Sequence, residues 1–310
     1  MGLPHFGGEQ PGDTYYFSPL SLYCFGIVDV TSTPDILHAF GYTEDQGGKG
    51  GNNVASLLIY CLTQLGWLIE GSSAMRLSII MDNCSGQNKN NHVLRLSLWL
   101  VELGFFHQVE FIFYVRGHTK NVCDRMFNLL KKRYHKDNIF SITHLTTSLN
   151  AIDNVNYQHM QGNIFFDYNS LLDNFYKQMR PGSVTQNHYF WVNSTEPTTM
   201  FMKTFDDDED DQVEIFDHAK NNNQDRLQQM WSLYNNNNMK RQLTAPGLKE
   251  IKMVELWKKW GKFVPLEFRE ELCPKPSDDV IKRVSKDRST KSTERARSRR
   301  VQRSYELSQV

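Results

Sequence analysis

Residues 76–115 decide the fold: RLSIIM (76–81), DNCSGQNKNN (82–91), HVLRLSLWLVEL (92–103), GFFHQ (104–108) and VEFIFYV (109–115). The first run is apolar and bounded by a polar turn, long enough for a strand and too short for a helix. The third is an apolar helix, with Gly104 placed to cap its C-terminus. The last is a second buried strand. Two strands joined through a helix call for parallel pairing in an α/β sheet.

Upstream, LSLYCFGIVDV (Leu20–Val30) reads as a buried strand, Thr31–Asp35 as a turn, and ILHAFGYT (Ile36–Thr43) as its hairpin partner. GGKGGNN (47–53) is a loop, and Val54–Leu68 repeats apolar residues at helical spacing. Downstream, Val122–His135 predicts an amphipathic helix with Cys123, Met126, Phe127, Leu130 and Tyr134 on one face. The expected order is β-β-α-β-α-β-α. Past Asn150 the pattern weakens: strands are expected at Asn163–Phe166, Tyr189–Val192 and Met200–Thr204, and helices at Ser170–Met179 and Leu248–Trp260. DDDEDD (206–211) and the Asn runs at 221–223 and 235–238 read as solvated polar stretches. The expected organisation is an extended lead-in over 1–19, an α/β core over 20–150, an α+β extension over 151–275 and a disordered basic tail over 276–310.

The chain of 310 residues is 39% apolar, enough for a sizeable core. Its zero net charge hides an asymmetry: the tail from Pro276 carries ten Lys/Arg against five Asp/Glu, which leaves the first 275 residues at −5. A basic tail suits nucleic acid or nuclear import, and KDRSTKSTERARSRR (286–300) is the candidate import stretch. No apolar run reaches the ~18 residues of a membrane span. Five cysteines, an odd number behind an N-terminus unlike a signal peptide, point to free thiols in a reducing compartment. Nucleus or cytoplasm is expected, and secretion is not.

Three carboxylates sit at the ends of the core elements. Asp29 is near the end of the first strand, Asp82 directly follows RLSIIM, and Asp124 lies in the first turn of the helix after VEFIFYV. Sites in open α/β sheets form at the carboxyl ends of strands. Acidic groups converging there repel unless a cation joins them, and Mg²⁺, or Mn²⁺ in its place, suits carboxylate oxygen and phosphate. Each residue also has a plainer reading. Asp124 stands three after Asn121, the spacing of a capping box; Asp82-Asn83 and Asp29 before Thr-Ser-Thr-Pro make good turns. Their joint placement is what points to a metal.

The turn at 82–91 offers Asn83, Gln87, Lys89 and a helix N-terminus to a phosphate; RGHTKN (116–121) adds Arg116, His118 and Lys120, with His118 a possible proton shuttle. Cys84 with His118 could instead form a thiol nucleophile and base, and Cys84, His118 and Cys123 could ligate zinc, without the short C-x₂₋₄-C spacing. GGKGG lacks the Ser or Thr a Walker loop needs after Gly-Lys, which excludes nucleotide hydrolysis by that route.

DNCSGQNKNN and RGHTKNVCDRMFNLLKKRY (116–134) together resemble the paired signatures of a family common in transposon-rich eukaryotic genomes, domain of unknown function 7869. The likeness extends to EQPGDTYYFSP (9–19), FGIVD (25–29), YTEDQGGKGGNNVASLL (42–58), GNIFFDYNSLLDNFYK (162–177), WKKWGKFVP (257–265) and CPKP (273–276), roughly residues 9–275. The resemblance implies an RNase H-like mixed sheet flanked by helices, and a transposase or integrase origin. Asp29, Asp82 and Asp124 then match that fold's acidic positions and imply metal-dependent phosphoryl transfer on nucleic acid, DNA rather than RNA. The alternative is a domesticated nucleic-acid-binding protein without catalysis. Glu44 and Asp45 precede the first helix, which leaves a fourth acidic ligand unmatched. The fold's third strand is expected in Asp13–Ser18 or absent. No zinc finger or helix-turn-helix stretch precedes the first strand, so mobility by this chain alone is not expected.

Overall fold

In a computed structural model, residues 1–71, 75–114, 121–204, 213–217, 219–220, 225–236 and 240–287 are described. In chain order the elements are β1 (Gly2–Leu3), β2 (His5–Phe6), β3 (Leu20–Asp29), β4 (Ile36–Thr43), α1 (Gly51–Gln64), β5 (Arg76–Met81), α2 (Asn91–Glu102), β6 (Gln108–Phe113), α3 (Val122–Lys136), β7 (Asn138–Ile139), α4 (Ile142–Asn150), β8 (Val155–His159), α5 (Tyr168–Asp173), α6 (Pro181–Gln186), β9 (Tyr189–Asn193), β10 (Thr199–Lys203), β11 (Val213–Asp217), α7 (Arg226–Asn235), α8 (Glu250–Glu255) and α9 (Arg269–Leu272). The class is mixed α/β. No described helix is long and apolar enough to cross a membrane. The chain forms two compact units. One joins Met1–Leu22, Leu130–Ile152 and Gly247–Val310; the other joins Tyr23–Leu129 and Asp153–Pro246.

The larger unit holds a five-stranded sheet in the order β11-β10-β9-β6-β5. Strands β5 and β6 run parallel, as the β-α-β reading requires, and the other pairs are antiparallel. Phe111 faces Phe190 across β6 and β9, so the C-terminal stretch supplies three of the sheet's strands. Helix α2 is buried from Val93 through Val101. A helix apolar all round belongs in an interior, and this one packs between α1, α5 and the sheet. Trp99, Phe111, Phe113 and Phe190 anchor that core, each contributing about 1.5–3 kcal/mol by burial. Gly104 ends the helix with φ 74°, a left-handed cap.

The other sheet of this unit places β4 between β3 and β8. The six residues from β3 to β4 are too few for a parallel crossover, which needs about a dozen, so the two form the expected hairpin. Strand β8 pairs parallel to β4, Leu37 opposite Val155. It flanks the hairpin on the β4 side; Gly12–Tyr16, overlapping the stretch Asp13–Ser18 where a third strand was expected, is a 3₁₀ turn. Asn163–Phe166, expected as a strand, is overlapped by another 3₁₀ turn, Gly162–Ile164. The helix expected over Ser170–Met179 stops at Asp173, where the chain turns so that the Tyr176 carbonyl and Asp173 both meet Arg95.

In the smaller unit, β1 pairs with Leu20 and Ser21, and β2 pairs with β7. The expected extended lead-in is therefore held in place. The Tyr134 ring stacks on His5 at 4.0 Å, and the Trp260 indole donates to the Ser18 carbonyl at 3.1 Å. The expected disordered tail is helical over 278–287, where Val280, Ile281 and Val284 recur at helical spacing and Val284 is buried. Residues beyond 287, including most of the candidate import stretch, lie outside the described residues, as does the acidic loop at 206–211.

Candidate functional site

The larger unit contains a cavity of about 1140 Å³. The ends of β3 and β5 border it, with α1 and the first turn of α3 completing the walls. Asp29, Asp82 and Asp124 all stand on this wall. So do the expected phosphate-contact residues Asn83 and Gln87, and the thiols of Cys84 and Cys123. Much of the remaining surface is apolar, from Ile27, Leu58, Ile79 and Phe127.

Asp29 is buried and fully engaged locally. Its Oδ1 accepts from the Thr31 amide at 2.8 Å and the Thr31 hydroxyl at 2.7 Å, and its Oδ2 accepts from the Ser32 hydroxyl at 2.8 Å. Burial pushes this carboxyl up, and the bonds from Thr31 and Ser32 outweigh it, holding the group below the usual carboxylate range. Asp82 is exposed; its Oδ1 accepts from the Asn88 side-chain amide and from the Cys84 backbone at 3.4 Å. Asp124 is exposed and forms the capping box its spacing suggests. Its Oδ2 accepts from the Asn121 amide at 3.2 Å, while Asn121 Oδ1 accepts from the Asp124 amide at 3.0 Å.

Gly26 lets α3 approach β3. A Cβ there would stand 2.7 Å from the Phe127 ring. One turn away, Cys123 Sγ reaches the Gly26 carbonyl at 3.6 Å. Burial first, and then the nearby charges of Asp124 and Asp82, together raise this thiol to about 11. Two carboxylates thus act on the wall at Cys123. Among the described residues no group of three or more His, Cys, Asp or Glu stands close enough to hold a metal ion. Glu44 and Asp45 are not on the cavity wall.

The amide-rich turn builds itself. The Cys84 carbonyl accepts the amides of Gln87, Asn88 and Lys89. Asn90 caps α2, accepting from His92 at 3.0 Å and Val93 at 3.2 Å. Asn91 clamps Met179 with two bonds. Lys89, expected to meet a nucleic-acid backbone, is instead 3% exposed. Its ammonium donates to the Thr185 carbonyl at 3.1 Å, and burial lowers its pKa to about 8. Arg116, His118 and Lys120 lie outside the described residues, and with them the Cys84–His118 pairing and the zinc set built on it. The sequence reading missed Gly26 and Phe127 as site-shaping residues, since their contact joins segments a hundred residues apart.

A family model described as Domain of unknown function (DUF7869) matches residues 23–208, more than half of the chain, and the chain belongs to that family. No curated protein and no solved structure matches it.

Proposed function

We propose that this member of the DUF7869 family is an RNase H-like domain of transposase or integrase origin that performs metal-dependent phosphoryl transfer on nucleic acid, with DNA as the preferred substrate. One observation carries the reading: three carboxylates from distant parts of the sequence share the wall of one cavity. Asp82 follows the carboxyl end of β5 and Asp124 opens α3, the position where open α/β sheets gather ligands, and Asp29 joins them from the end of β3 in the other sheet.

The donor set consists of carboxylate oxygens, the chemistry a hard divalent cation takes. The shared charge of Asp82 and Asp124 on Cys123 marks a wall that a cation would relieve. Asp29, Asp82 and Asp124 would hold Mg²⁺ or Mn²⁺, and since no three such groups now stand within ligating reach, they would draw closer to do so. When bound, the ion supplies charge to activate a water or hydroxyl and to stabilise the leaving oxygen. The chain's own residues orient the rest. Asn88 holds Asp82, Thr31 and Ser32 hold Asp29, and Asn83 and Gln87 offer amides to a phosphate. Arg116, His118 and Lys120, between β6 and α3, take the substrate backbone. Lys89 is assigned to the framework instead.

The test is nicking and strand transfer on DNA, RNA and hybrid substrates with Mg²⁺ or Mn²⁺, comparing wild type with Asp82→Asn and Asp124→Asn. Loss of at least about a hundredfold in either variant, with an unchanged melting curve, is expected. Equal rates in all three proteins overturn the catalytic claim. A second reading, nucleic-acid binding without catalysis, is favoured by the local bonding that already occupies the carboxylates of Asp29 and Asp124. It predicts metal-independent binding that falls steeply with salt and is lost when the tail beyond Asp287 is removed.

A further inference from the structure

Strand β5 is the edge of its sheet among the described residues, and its open side faces the cavity. The Met81 carbonyl accepts from Tyr114 on the β6 side. Backbone polar groups alternate sides along a strand, so Leu77 and Ile79 also address β6. Arg76, Ser78 and Ile80 therefore turn three N–H and three C=O groups away from it. The same three residues line the cavity, as does every residue of β5. On the other wall, β3 contributes the unbroken run Phe25–Asp29, and its Gly26 carbonyl takes the weak thiol donor of Cys123. Two strand flanks thus border a cavity larger than the ~300–1,000 Å³ of ordinary ligand clefts.

We propose that this cavity accepts one extended segment of a partner protein, added as a strand on the open edge of β5. Exposed strand edges recruit such segments through main-chain hydrogen bonds. Helices α1 and α3 contribute the remaining walls, which admits a single strand and not a second folded copy of this chain. Charge sets the direction. Asp82 follows the end of β5 and shares the wall with Asp124, while Arg76 begins β5, ~20 Å away at 3.3 Å per residue. The occupant carries Lys or Arg at the aspartate end, an acidic residue at the Arg76 end, and apolar side chains between them to cover Ile79 and the half-exposed Ile80. The inference goes beyond phosphoryl transfer and needs no metal, so either can fail alone.

The probe is a synthetic peptide of about eight residues, alternating Val and Thr, with two Lys at one end and Glu at the other. Hydrogen exchange is read at single amides without Mg²⁺. In the free protein, the amides of Arg76, Ser78 and Ile80 exchange rapidly while Leu77, Ile79 and Met81 are protected; the peptide protects the first set. Ser78→Pro removes one cavity-facing donor and leaves the β6 ladder intact, since proline is tolerated on a strand edge. It lowers peptide affinity about tenfold relative to Ser78→Ala. Protection of the Arg76, Ser78 and Ile80 amides in the free protein overturns the proposal, because the edge is then closed by the chain itself. So does a peptide that leaves them unprotected at millimolar concentration, or one with N-methylated backbone that binds equally well.

Discussion

Replacing Arg95 tests whether α2 is held by neutral carbonyls or by an ion pair. Its side chain is fully buried and makes four bonds, to the Asn91 carbonyl at 3.1 Å, Asp173 Oδ1 at 2.7 Å, the Tyr176 carbonyl at 3.2 Å and Asn169 Oδ1 at 2.8 Å. In Arg95→Met the Asn91 carbonyl sits inside the helix and keeps its helical partner. Asp173 is 36% exposed, so water replaces the lost cation and the pair contributes at most about 1 kcal/mol. The Tyr176 carbonyl and Asn169 lose a donor beside the core, at roughly 1–3 kcal/mol each. The sum is about 4 kcal/mol, a large share of a 5–15 kcal/mol total. Asp173→Asn should cost about 1 kcal/mol. Urea unfolding followed by far-UV circular dichroism, with unchanged m-values, measures both. If Asp173→Asn costs as much as Arg95→Met, or if Arg95→Met costs under about 1 kcal/mol, the assignment to the buried carbonyls is wrong.

Three further outcomes follow from the same framework. Asn90→Ala removes the cap on α2 and should cost about 1 kcal/mol, read as a lower urea midpoint, with Asn90→Asp nearly neutral. Lys89 has its folded pKa lowered to about 8, below the ~10.4 of an unfolded lysine. Between those values the unfolded chain binds more protons, so stability should rise from pH 8 to 10; a melting series in which Lys89→Met shows the same rise would refute this. Gly26→Ala should destabilise by about 1–3 kcal/mol through its clash with Phe127, and Gly26→Ala combined with Phe127→Leu should recover part of that loss in a double-mutant cycle. Simple additivity of the two changes would count against direct contact.

The sequence by itself determined the local units. RLSIIM fixed β5 at both ends, because an apolar run bounded by turn residues leaves little freedom for a strand's limits. The Asn121–Asp124 spacing announced a capping box that the structure contains, since capping involves neighbours three residues apart. The same locality made the hairpin of β3 and β4 legible. Tertiary structure alone decided which strands lie side by side. VNYQH (155–159) has no strong strand pattern of its own and becomes β8 through its ladder with β4. Likewise β9 is seated beside β6 by cross-strand packing of Phe190 on Phe111. Lys89 looks like a surface cation in the sequence, and the fold around Thr185 buries it. That three aspartates line one cavity is of the same kind: pairing and burial join segments distant in sequence, and backbone hydrogen bonds carry no residue code that would name the partner.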